Sequence, residues 1–107
     1  MVVYEVNLAV DAEIAAAYRA WLEPHIAEVL AVPGFLSAEW WDVEDSDRQP
    51  GNRVRWCVQY RVDSREALHA YFDEHAARLR GDGLERFGGR FEASRRILAL
   101  RSGHAPK

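Results

Sequence analysis

The chain of 107 residues has a single cysteine, Cys57, so no intrachain disulfide can form and a reducing cytoplasm suits it. It has no basic excess. The net charge is −3 with both signs interspersed, which lacks the electrostatic footprint of a dedicated nucleic-acid binder. It also has no apolar run long enough to cross a bilayer, and the opening Met1-Val2-Val3-Tyr4-Glu5 carries no basic leader. Neither a membrane span nor a signal peptide is therefore expected. No repeat, linker or low-complexity stretch divides the chain, and no catalytic motif stands out. These absences predict a cytoplasmic protein with one domain over residues 1–100 and a flexible C-terminal tail over 101–107.

Hydrophobic residues make up 49% and aromatics 11%, enough for a packed core without staples. The clearest pattern is the run Val54 to Val62. Val54, Trp56, Val58, Tyr60 and Val62 fall on one side, and Arg55, Cys57, Gln59 and Arg61 on the other. A strand changes sides at every residue, so this is a strand with one oily and one polar face.

Val2, Tyr4, Val6, Leu8 and Val10 alternate in the same way to give a first strand, with Asp11 placed to cap the first helix. From Ala12 to about Val32 the chain is rich in Ala, Leu and Glu, with Ile14, Tyr18, Trp21, His25 and Val29 at helical spacing. Pro24 removes a backbone donor there and predicts a kink or restart. Pro33-Gly34 ends that helix, and a second strand runs from Phe35 to about Val43. The polar stretch Asp45 to Asn52 has turn chemistry throughout and closes a hairpin. Asp63-Ser64-Arg65-Glu66 has capping-box spacing before a helix with Ala67, Leu68, Tyr71, Phe72, His75 and Leu79 on one stripe. That helix is expected to stop near Gly81-Asp82-Gly83, with an irregular connection over Leu84–Arg90 and a last strand from Phe91 to Leu100.

The order β-α-β-β-α-β, with two right-handed crossovers sharing one antiparallel sheet, is the ferredoxin-like plait of the α+β class. Both helices must cover the oily face. The other face is left open with Trp41 on it, which predicts a partner.

Four segments, Val3–Leu8, Pro33–Ala38, Val58–Tyr60 and Phe91–Leu98, resemble an uncharacterised bacterial family of the dimeric α/β-barrel superfamily. Better-known members of that superfamily include cofactor-independent quinol monooxygenases and haem-degrading enzymes. The resemblance implies the plait and a homodimer that places two open sheet faces together, with any ligand cavity between one sheet and its own helices. The haem-degrading members use an Asn, Trp and His set, which does not carry over. Asn7 falls on the face away from the helices, Tyr71 stands where a Trp would be wanted, and no His matches.

The open face gathers Glu5 and Asn7 with Glu39, Trp41, Arg55, Cys57, Gln59 and Arg61. The last six are the expected dimer interface, with Arg55 stacking on Trp41 or pairing with Glu39. The sharper alternative is an anion site built on Arg55 and Arg61, since arginine's paired donors match a carboxylate. Cys57 is read as inert.

On the helix side Tyr18, Trp21, Trp56, Tyr60 and Tyr71 are core by default, as are Trp40 and Phe72. If Pro24 lifts the first helix, these rings line an apolar cleft. His25 and His75 lie on apolar stripes and could face one another, though two histidines without a third ligand make a poor metal site. The expected ligand site is therefore Tyr18, Trp21, His25, Trp56, Tyr60, Tyr71 and His75, with no metal and no cofactor.

An RNA-recognition role fits poorly, because Arg55 and Cys57 occupy the positions where bases would stack on aromatics. The expected partners are a second copy and a small molecule, with no nucleic acid and no membrane. The reading is a small homodimer binding an aromatic or acidic molecule. The alternative is a cofactor-independent monooxygenase or isomerase working in the same cleft, and a purely structural dimer comes third.

Overall fold

The computed structural model describes residues 1–44 and 52–107. Alternation produces four strands, β1 (Val2–Asp11), β2 (Phe35–Asp42), β3 (Arg53–Val62) and β4 (Phe91–Ala99), in the antiparallel order β2-β3-β1-β4. This is the ferredoxin-like α+β plait. The sheet of one chain is open, with β2 and β4 as its edges, and is not a closed barrel.

Three helices supply the second layer: α1 (Ala15–Leu30), α2 (Arg65–Glu74) and α3 (Ala76–Phe87). Tyr18, Leu22 and Val29 of α1, Leu68 and Tyr71 of α2, and Ala76 and Leu79 of α3 share one core with Tyr4, Leu8, Val10, Trp56, Val58, Tyr60 and Val62. The strand contributors all have one parity, so every helix packs on the same sheet face. Among the described residues, no helix is long and apolar enough to cross a membrane.

Several local expectations are corrected. α1 begins at Ala15, after a 3-10 helix over Ala12–Ile14, and continues through Pro24 as one element. Asp11 makes no capping bond with its side chain. Its carboxylate instead accepts from Arg90 Nε (2.8 Å) and Arg53 Nε (3.0 Å) and is held below the usual aspartate range by those two guanidinium groups. At the second helix, Ser64 is the cap and its Oγ accepts from the Ala67 amide (3.1 Å), so the Asp63–Glu66 spacing is not the one used.

The second helix is two helices, broken at His75, and the second runs through Gly81-Asp82-Gly83 to Phe87. Gly83 is there for a close approach: a Cβ on it would stand 2.8 Å from Trp21 Cη2. Gly34 has φ +89°, and its Cβ would meet that of Ala67 at 2.4 Å, so both backbone and space require glycine at this bend. The expected β2–β3 turn, Asp45 to Asn52, lies outside the described residues except for Asn52.

Candidate functional site

A cavity of about 40 Å³ lies between the sheet and the helices. Its floor is sheet: Tyr4, Val6, Leu8, Val58, Tyr60, Phe91 and Arg95. Its roof is helix: Tyr18, Trp21, Leu22, His25 and Val29 from α1, Tyr71 from α2, and Arg80 and Gly83 from α3. The walls are aromatic on both flanks. The Tyr18 ring is 5.3 Å from Trp21, 4.9 Å from Phe87 and 5.1 Å from Phe91. The Tyr4 ring is 5.9 Å from Tyr60 and 5.7 Å from Tyr71.

Trp21 bridges two of the helices that roof the cavity. Its Nε1 donates to Asp82 Oδ2 of α3 (2.8 Å), and its ring lies on Gly83 and stacks with His25 at 4.4 Å. Burial lowers the His25 pKa, against the opposing pull of Glu28 and Asp82, so the imidazole is neutral at pH 7. Burial pushes Tyr18 up to about 12 and Tyr71 up to about 12, and raises Tyr60 as well. The phenols therefore stay protonated and able to donate. Arg80 Nη2 donates to the Tyr4 hydroxyl (2.8 Å), while the buried Arg80 Nε has no partner among the described residues.

Of the residues expected at a ligand site, Tyr18, Trp21, His25, Tyr60 and Tyr71 come together around this cavity. Trp56 and His75 stand outside it. Trp56 is buried behind Tyr18, with its Nε1 donating to Asp42 (3.0 Å) and Trp40 edge-on at 5.3 Å. His75 marks the break between α2 and α3, where its Nδ1 is 3.1 Å from Arg78 Nη2, so it does not face His25 across the cavity. Among the described residues, no group of three His, Cys, Asp or Glu could hold a metal ion. Arg80 and Arg95 are lining residues that periodicity alone did not point to, and alternation places Tyr4 on the helix side but not at the ligand site. Arg95 reaches the cavity because the β1–β4 register sets it opposite Val6.

On the open face, Trp41 is half exposed and stands opposite Cys57, and Glu39 stands opposite Gln59. The acidic partner expected for Arg55 goes to Arg61, whose Nη2 is 3.5 Å from Glu39. Arg55 instead keeps a buried Nε without a partner among the described residues. Gln59 Nε2 donates to Glu5 Oε1 (2.8 Å), Asn7 Nδ2 donates to Glu5 Oε2 (3.0 Å), and Arg96 reaches the same carboxylate from β4. Burial and the adjacent Glu5 charge raise the Cys57 thiol, which opposes thiolate chemistry.

A family model described as a domain of unknown function, DUF4286, matches residues 1–100. No curated protein matches the chain. Among solved structures, a candidate antibiotic biosynthesis monooxygenase from Deinococcus radiodurans is 21% identical over 100% of this chain and 97% of that one, with a TM-score of 0.67. A mutant of SnoaB, a cofactor-independent oxygenase from Streptomyces nogalater, is 12% identical over 95% of both chains (TM-score 0.68). A mutant of MhuD with two manganese protoporphyrin IX molecules per active site is 17% identical over 97% of this chain and 99% of that one (TM-score 0.62). At these identities the likeness is one of fold.

Proposed function

The chain belongs to the DUF4286 family, and from that premise we propose that it is a cytoplasmic homodimer that binds a small aromatic or acidic molecule between its sheet and its helices. The observation that carries this reading is the aromatic cavity lined by Tyr18, Trp21, His25 and Tyr71 from the helices and Tyr60 from the sheet. Aromatic and apolar walls with a few convergent polar groups are what small-molecule sites are made of. At about 40 Å³ the cavity holds little more than a water molecule, so binding needs a wall to move. Trp21 is that wall, because its exposed hydrogen bond to Asp82 ties α1 to α3 across the roof.

The homodimer reading rests on the open sheet face, where Trp41 is 52% exposed. Sedimentation at micromolar concentration tests it, and a monomer overturns it. A thermal-shift screen with aromatic acids, quinols and haem tests ligand binding, with hits soaked into crystals. The expected result is a hit seated between Trp21 and Tyr60. Stabilisation by none of the classes, or hits seated elsewhere, overturns the cavity reading.

A second reading, a cofactor-independent monooxygenase or isomerase, is favoured by His25. A neutral imidazole in the wall is a base for a substrate that then reacts with oxygen itself, leaving the protein to position and deprotonate. Oxygen uptake with a quinol that disappears in His25→Phe supports it, and uptake unchanged in that variant removes His25 from the reaction.

A further inference from the structure

Resting on the ligand cavity proposed above, we infer that its ligand is a planar aromatic anion, held by Arg80 and Arg95 at the charged end and by the rings of Tyr18, Trp21 and Tyr60 along its faces. The residues lining the cavity include two arginines and no Asp or Glu. That imbalance is unusual for this chain. Arg53, Arg61, Arg86, Arg90 and Arg96 each hold a carboxylate. Arg80 instead takes a phenol, the hydroxyl of Tyr4, and leans over the Phe72 ring at 5.7 Å.

The Arg80 Nε is buried and donates to nothing among the described residues. A buried donor on a cation without an acceptor costs free energy, and an anion bound beside it removes that cost. The guanidinium presents its donors in a planar fork that matches a carboxylate or an enolate oxygen pair. Arg95 sits on β4 opposite Val6, on the helix side of the sheet, and is exposed while lining the cavity. It supplies positive charge along the way in.

The remaining polar groups agree in sign. Tyr18, Tyr60 and Tyr71 all have raised pKa values, so each presents an O–H donor rather than a phenolate that would repel an anion. Of the two acids acting on His25, Asp82 is turned to Trp21 Nε1 and Arg86, and Glu28 does not line the cavity. Once the Trp21 wall moves, a flat ring can enter between the Tyr60 and Trp21 sides, where aromatic faces favour offset stacking.

The test is calorimetric titration of the full chain with 1-naphthoate and with its uncharged counterpart 1-naphthamide, at about 0.15 M salt to suppress surface charge effects. The expected result is that naphthoate binds about tenfold more tightly than the amide, and that Arg80→Met brings the acid-to-amide affinity ratio to near one. If Arg80→Met fails to fold, Arg95→Met carries the same test, because Arg95 is exposed and outside the core cluster. Equal binding of acid and amide overturns the anion inference and leaves the cavity reading standing. Binding of neither overturns both. A preference for the acid that survives both arginine variants places the anion elsewhere and overturns the inference.

Discussion

Glu5 of β1 lies directly opposite Arg96 of β4, and Arg96 Nε donates to its carboxylate on the open face of the sheet. The same register places Gln59 of β3 on the other side of Glu5 and Glu39 of β2 beyond it. The result is a polar row, Glu39–Gln59–Glu5–Arg96, crossing all four strands. Glu5 is only 2% exposed, although it lies on the side without helices. Its carboxylate is buried by its own hydrogen-bond partners. A second protein surface can therefore cover this row without stranding a bare carboxylate, and such satisfied polar contacts are compatible with an interface.

That relationship predicts acid sensitivity. Burial alone raises the Glu5 pKa, but the hydrogen bonds from Arg96, Asn7 and Gln59 more than reverse it, to about 2. With the folded value below the unfolded one, the stabilisation is present above pH about 4.5 and is lost as the pH falls toward 2. The shift corresponds to roughly 3 kcal/mol at most. Urea denaturation between pH 6 and pH 2 is expected to show a larger stability loss in the wild type than in Glu5→Gln, which keeps only the losses due to other groups such as Asp11 and His25. Parallel pH profiles for the two proteins rule out this account.

The alternation that marks β3 also marks which side the helices cover, because both properties follow from the two-residue period of a strand. The cavity's α1 wall was legible for a similar reason: Tyr18, Trp21 and His25 fall on one helical stripe. What stayed hidden was register. Glu5 was visible as a polar-face residue, but its pairing with Arg96 depends on how β4 slides along β1, and the neighbouring apolar residues Ile97 and Leu98 leave the parity of β4 ambiguous. The acidic partner of Arg61 was hidden likewise, since a bulge between Phe35 and Ser37 shifts β2 against β3. Gly81-Asp82-Gly83 reads locally as a stop, yet only contact with Trp21, 62 positions away from Gly83 in sequence, explains the glycine.

The two glycines of α3 should respond oppositely to alanine. Both lie inside the helix, where glycine costs about 1 kcal/mol relative to alanine. A Cβ on Gly81 meets nothing within 4 Å, so Gly81→Ala is expected to stabilise by about 0.5–1 kcal/mol. A Cβ on Gly83 meets Trp21 at 2.8 Å, and Trp21 is held by Asp82 and His25. Gly83→Ala is expected to be destabilising by about 1–2 kcal/mol, with altered tryptophan fluorescence as the ring shifts. Equal gains from both substitutions would mean that Trp21 moves at little cost.

Ser64 starts α2 as its side-chain cap, with Oγ accepting from the Ala67 amide (3.1 Å). Ser64→Ala is expected to cost about 1 kcal/mol in thermal or denaturant unfolding. Glu66→Ala, which removes the other half of the apparent capping box, is expected to change stability by no more than about 0.5 kcal/mol. A reversed order of effects would restore the Asp63–Glu66 box.

His25 gives the fold a second pH dependence, separate from that of Glu5. The ring stacks on Trp21 within the cavity wall, and the charged groups around it are Glu28 on its own helix, Asp82 on α3 and Arg95 on β4. Burial dominates and lowers the folded pKa below the ordinary 6.5. For a histidine shifted this way, the unfolded chain takes up the proton first, so stability is full above pH about 6.5 and falls as the pH drops below it. Wild-type protein is therefore expected to lose stability between pH 7 and pH 5, and His25→Phe to lose less over the same interval, measured by urea midpoint. An NMR titration of the His25 ring gives the direct check, with a midpoint below 6.5 expected. A midpoint above it would mean that Glu28 and Asp82 outweigh burial, and that the imidazole enters the cavity as a cation.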